Sequence, residues 1–252
     1  MMLLHRLFAP KFLEKAAQFL WPYTCVLTFI CFGFGSYYGL LESPPDYQQG
    51  EMVRFLYVHV PASWFALAIY TVMAIFSIVG YAMKLPVNHI LVKSLAVPGA
   101  LMTALSLVTG SLWGKPVWGT YWAWDARLTS MLILFFIYLG YLSLAYRDKT
   151  GEKHSLKTLE RLSVLVMIGF VNIPIIKWSV DFWFTLHQPP SLMRLGKPAL
   201  DSHFWCPLLW MTGAYMSFII ALSSLIFLTQ LRNFRERAHP HFLRHQHVKE
   251  AA

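Results

Sequence analysis

The sequence predicts an all-α integral membrane protein of six transmembrane helices, with both termini in the cytoplasm. Three observations carry that expectation. Only 13% of the 252 residues are charged and 57% are hydrophobic, with a mean hydropathy of +0.49; a soluble domain carries about 25% charged residues. Residues 16–41, 55–83, 94–114, 128–146 and 202–231 hold no Lys, Arg, Asp or Glu, and a run of ~20 such residues crosses the hydrocarbon core. The Lys and Arg residues between those runs fall mostly on alternate loops.

Each span has its own justification. The first, 16–41, follows a basic start (Arg6, Lys11, Lys15). It is too long for a signal-peptide core and lacks a small-residue cleavage site, so it is expected to remain as a helix. The second, 55–83, opens with the segment RFLYVHVPASW. The third, 94–114, contains Pro98, where a kink is expected. The fourth is 128–146. The fifth has a shorter charge-free stretch, 162–176, and becomes 159–180 if Lys177 snorkels to the interface; Pro174 should bend it. The sixth is 202–231, and 232–252 is a basic, histidine-rich tail expected to lie in the cytoplasm against anionic lipid.

Charge sets the orientation. Fifteen of the 21 Lys and Arg residues share a side with the N-terminus, which the positive-inside rule assigns to the cytoplasm. The net charge of +9 therefore reflects topology rather than nucleic-acid binding. Loops 42–57, 114–127 and 181–203 then face outward. Cys25, Cys31 and Cys206 lie in or beside apolar runs and form no C-x-x-C pair, so neither a disulfide framework nor a metal knuckle is indicated.

The outward loops carry the unusual residues. Segment 113–129 reads WGKPVWGTYWAWDARLT, with four of the chain's ten tryptophans (Trp113, Trp118, Trp122, Trp124). Tryptophan anchors helices at interfaces, but four large rigid faces broken by Gly114, Pro116 and Gly119 exceed what anchoring needs and suit a flat amphipathic ligand. A short interfacial helix starting near Pro116 would put Trp118 and Trp122 on one face. Asp125 is placed to N-cap the fourth span, and Arg127 to pair with it or with a ligand carboxylate. His59 opens the second span and His187 follows the fifth, so both share the side of the tryptophans; His203 is a competing outward histidine. Each alone reads more readily as a helix-end histidine bonded to a carbonyl or water. Together, two neutral imidazoles flanking an aromatic platform form a set that clamps a haem iron from both faces. Arg54, Lys115, Arg194 and Lys197 are the outward cations available to haem propionates or to lipid phosphates.

WGKPVWGTYWAWDARLTS resembles the tryptophan-rich WWD signature of the haem-handling protein family, integral membrane proteins of cytochrome c maturation, and the YVHVPASW and FTLHQP contexts agree with it. The resemblance spans about residues 20 to 230. It implies non-covalent, transient haem b at the periplasmic face of a bacterial inner membrane, with His59 and His187 as axial ligands and Trp113, Trp118, Trp122, Trp124, Asp125 and Arg127 as the binding surface. It implies delivery to a periplasmic haem chaperone (CcmE), with the ATP-binding-cassette transporter subunits CcmA and CcmB and the small membrane protein CcmD as partners. The sequence has no phosphate-binding G-x-x-x-x-G-K-[ST] loop and no C-x-x-C-H, so ATP hydrolysis and covalent haem attachment are expected elsewhere, and no enzymatic activity of its own is expected. Two rivals remain at this point: a b-type cytochrome carrying electrons, which favours histidine pairs deep in the bilayer, and a permease subunit translocating haem, which needs a polar path through the spans.

Overall fold

The computed structural model describes residues 9–146, 156–187 and 200–238. Among them are six segments long and apolar enough to cross a membrane, and no strand beyond an isolated Asp46–Gly50 bridge. The helices are α1 (Pro10–Tyr37), α2 (Leu56–Met83), α3 (Pro86–Trp118), α4 (Ala126–Ala145), α5 (Leu156–Gly169), α6 (Asn172–Phe182) and α7 (Trp205–Ala238). A π-turn (Tyr38–Glu42) extends α1, and 3-10 turns (Glu51–Phe55, Ser202–Phe204) lead into α2 and α7. The chain is a multi-pass membrane protein.

The antiparallel hairpin of α2 and α3 forms the centre. Its turn is sharp because Lys84 takes a left-handed conformation (φ 52°) and Pro86 starts α3 at a position where the missing N–H costs nothing. Helices α4, α5 and α6 cover one flank of the hairpin, α7 the other, and α1 lies outermost, packed chiefly on α7. Buried tyrosines pin the centre. Tyr138 donates to the Ala66 carbonyl (3.0 Å) and Tyr70 to the Val166 carbonyl (3.2 Å), their rings meeting edge-on at 5.2 Å. With no water in lipid to take these hydroxyls, protein carbonyls satisfy them; such interhelical bonds contribute about 0.6 kcal/mol each. Gly99 and Gly169 make room: a Cβ at either would collide with a tyrosine ring or hydroxyl.

The fifth span is two helices. Pro174 has no N–H to offer the Phe170 carbonyl, and the chain turns at Phe170–Val171. Two bonds compensate: the Ile173 N–H reaches the Phe170 carbonyl at 3.0 Å, and Asn172 Nδ2 donates to the Ser130 carbonyl of α4 at 2.8 Å. Pro98, by contrast, lies within an unbroken α3.

Helix α3 decides where the tryptophans sit. Its 33 residues extend about 50 Å at 1.5 Å per residue, well beyond a ~30 Å hydrocarbon core. Its last turns therefore rise out of the apolar layer, carrying Trp113 and Trp118 with them. No separate interfacial helix forms around Pro116. That proline is tolerated in the final turn of α3, and the helix stops at Gly119, which adopts φ 79° and returns its N–H to the Lys115 carbonyl. Trp122 and Trp124 consequently lie on irregular chain beyond the helix rather than on one helical face with Trp118.

Candidate functional site

Described parts of the three connecting segments 42–57, 114–127 and 181–203 come together at one end of the bundle. The first is shaped by Asp46, whose carboxylate accepts the N–H groups of Gln48 and Gln49 (both 2.9 Å), while Asp46 and Gly50 exchange backbone bonds. Gly50 has φ 57°, a conformation glycine adopts without strain. The turn presents Gln49, whose Oε1 accepts from Trp113 Nε1 at 2.9 Å.

His59, on the first turn of α2, is half-buried against α3. Its Nδ1 lies 3.1 Å from Thr109 Oγ1 and its Nε2 3.4 Å from Ser63 Oγ. Trp113 meets the imidazole edge-on, centroids 5.8 Å apart. Gly110 sits under the ring, where a Cβ would come within 2.8 Å of His59 Cε1.

His187 is held differently. Asp125 N-caps α4, its Oδ1 accepting from the Leu128 N–H at 2.8 Å. Its other oxygen takes the Thr185 hydroxyl and the Leu186 N–H (3.3 Å), which fastens the chain after α6. His187 Nδ1 stands 3.5 Å from that same oxygen. That approach is not a hydrogen bond, and this buried nitrogen has no partner among the described residues. Trp118 packs edge-on to the imidazole at 4.8 Å. Burial, reinforced by the Arg127 charge and only partly offset by Asp125, holds the His187 pKa down at about 4, so the ring is neutral at pH 7. Burial raises the Asp125 pKa, but the bonds from the Leu128 N–H and the Thr185 hydroxyl, with the nearby His187 ring, outweigh it, so the carboxyl stays ionised.

His59 and His187 lie within electrostatic range of each other, and both of Arg127. The expected Asp125–Arg127 pair does not form among the described residues: the carboxylate is engaged with its cap and with the 185–187 segment, and Arg127 makes neither a hydrogen bond nor an ion pair there. Trp113, Trp118 and Trp122 are half-buried, and Trp124, 78% exposed, meets Trp122 edge-on at 5.5 Å. Trp122 Nε1 is likewise buried with no hydrogen-bond partner among the described residues. Two imidazoles, indole faces, and a guanidinium and an indole N–H that have no partner among the described residues fit a planar metal chelate with acidic side groups.

Other candidates separate from this cluster. Arg54 is bound to Glu51 (2.6 Å) and to the Gly39 carbonyl. Lys115 donates to the Gly119 carbonyl (3.0 Å) and lies over the Tyr121 ring. Arg194 and Lys197 fall outside the described residues. His203 is exposed, in the turn before α7. Sequence reasoning missed Gln49, Ser63, Ser106, Thr109 and Thr185. For two of these a signal exists: Ser106 and Thr109 fall, with Gly110, at i, i+3 and i+4 before Trp113, the spacing of one helical face.

Comparison with known proteins agrees with the tryptophan signature. The family described as heme exporter protein C matches residues 3–241. The chain is similar to "Heme exporter protein C" of Bradyrhizobium diazoefficiens, 43% identical over 212 residues, covering 84% of this chain and 78% of the relative. It is similar to the protein of that name from Haemophilus influenzae, 39% identical over 223 residues (87% of this chain, 88% of the relative), and from Escherichia coli K12, 37% identical over 232 residues (91% and 89%). The chain belongs to the heme exporter protein C family.

Proposed function

We propose that this chain is a haem-docking and delivery protein of cytochrome c maturation, holding haem b without covalent bonds at the periplasmic face of the bacterial inner membrane. His59 and His187 ligate the iron from opposite faces. Trp113, Trp118, Trp122 and Trp124 line the porphyrin, and Arg127 takes a propionate. The observation that carries the reading is two histidines, one on the second span and one just after the fifth, each edged by a tryptophan and within electrostatic range of the other, beside Arg127, which has no hydrogen-bond or ion-pair partner among the described residues. Neutral imidazole is the ligating form, and His187 is neutral at pH 7.

Haem is cargo here. Each contact is separately breakable, which suits handing the molecule to a periplasmic chaperone (CcmE) in concert with an ATP-binding-cassette complex (CcmA, CcmB) and CcmD. The N-terminal side, richer in Lys and Arg, stays in the cytoplasm.

The test is the absorption spectrum of the purified protein and of His59→Ala and His187→Ala. Each substitution is expected to remove the low-spin bis-imidazole spectrum and to reduce copurifying haem. Wild-type spectra and haem content in both variants would overturn the assignment.

A further inference from the structure

We infer that Thr109 is a positioning residue for His59: its hydroxyl holds the imidazole as the Nδ1–H tautomer and leaves the Nε2 lone pair for iron. The inference rests on the reading of His59 as a haem ligand. It comes from accounting for four hydrogens shared among His59, Ser63, Ser106 and Thr109.

Thr109 Oγ1 lies 2.6 Å from the Leu105 carbonyl, which can only accept. The hydroxyl hydrogen is committed there, so toward His59 Nδ1 at 3.1 Å Thr109 presents a lone pair. Nδ1 must then carry the proton. Ser63 Oγ lies 2.8 Å from the His59 carbonyl, again an obligate acceptor, and commits its hydrogen there. The 2.6 Å contact between Ser63 and Ser106 is then a donation from Ser106. Every short contact is satisfied, and no hydrogen remains for Nε2. The 3.4 Å separation of Nε2 from Ser63 Oγ fits that assignment, being the longest contact of the group.

The arrangement suits a ligand in lipid-depth surroundings. An imidazole with a free ring nitrogen on either side would be split between two tautomers, only one of which turns a lone pair to the iron. A partner on the other ring nitrogen selects the ligating tautomer and orients the ring. Gly110 completes the seat by keeping the space beneath the ring open. The bonded groups belong to α2 and α3, the two helices of the packed central hairpin, so both sides of the seat are held by the same core.

The experiment uses the full chain in detergent with Thr109→Val, Thr109→Ser and His59→Ala, each titrated with ferric haem b and followed by absorption and electron paramagnetic resonance. Valine keeps the shape of threonine and removes the hydroxyl. Thr109→Val is expected to weaken haem binding about 10-fold or more, the usual effect of removing a partner of a metal-bound histidine, and to replace low-spin signal with high-spin; Thr109→Ser is expected to restore both. In the haem-free protein, nitrogen NMR of labelled histidine is expected to show His59 protonated at Nδ1, and to lose that preference in Thr109→Val. Unchanged haem binding in Thr109→Val, with binding lost in His59→Ala, overturns the role of Thr109 and leaves His59 as ligand. Equal losses in the valine and serine variants, or an Nε2–H tautomer in the wild type, also overturn it. Unchanged binding in His59→Ala removes the ligand reading, and this inference with it.

Discussion

His59 and His187 meet at one end of the bundle but are secured by opposite means. His59 grows from a helix and is caged by hydroxyls of its own helix and its hairpin partner. His187 follows α6 on irregular chain that is fastened to the Asp125 carboxylate. The first is positioned by packing and the second by a tether. The pair therefore combines a rigid seat with an adjustable arm, which a site that must both hold and surrender its cargo can use.

Asp125→Ala is expected to have the largest effect on that contrast. It removes the α4 cap, about 1 kcal/mol, together with the bonds from the Thr185 hydroxyl and the Leu186 N–H, and it should lower haem retention more than about tenfold. Asp125→Asn keeps a capping oxygen and should fall between alanine and wild type. Haem content after purification, with proteolysis at 183–187 as the structural readout, checks both; an intact tether in the alanine variant would erase the distinction between the two histidines.

Gly110→Ala probes the other side. Alanine is the better helix former by about 1 kcal/mol, so the helix itself does not suffer. The added methyl would meet His59 Cε1, and overpacking of this kind costs about 1–3 kcal/mol, read as roughly 5- to 100-fold weaker haem binding.

Acid should loosen the arm before the seat. The His187 pKa is about 4 in the folded protein, below the ordinary 6.5. Between those values the detached segment binds the extra proton, so docking weakens as pH falls from 6.5 toward 4 and changes little below. In the haem-free protein, opening at Leu186 and His187 is expected to rise on the order of tenfold from pH 7 to pH 5, by hydrogen exchange corrected for its intrinsic pH dependence. The smallest effect belongs to Gln49→Ala, which releases the Trp113 N–H at a cost of about 1 kcal/mol and should weaken haem binding only several-fold.

Much of this was readable from residues. Charge-free runs located six spans because lipid excludes Lys, Arg, Asp and Glu, and rarity singled out the tryptophans and outward histidines. The Asp125 cap was legible from its position before the fourth span. Pro116 misled, because a proline that opens a helix and one tolerated in a last turn look alike in sequence; Gly119 at φ 79° settles where α3 ends. The fifth span blurred for a related reason, since Pro174 and Lys177 interrupt it where the chain divides into α5 and α6. Ser63, Ser106 and Thr109 escaped notice because small hydroxyl residues are ordinary on packed membrane helices. Only the distances to carbonyls turn them into a tautomer filter.

The outermost place of α1 has a consequence for biosynthesis. Its chief neighbour, α7, and the Glu14–Arg235 pair that ties the two ends (2.6 and 2.7 Å) both come from the far end of the chain. About 170 residues separate Tyr37 from Trp205, which a ribosome takes roughly ten to thirty seconds to make. For that interval the earliest of the six spans waits in the bilayer without its mate. Its phenylalanines and tyrosines, still outward-facing in the finished fold, are what lets lipid keep it company until assembly closes.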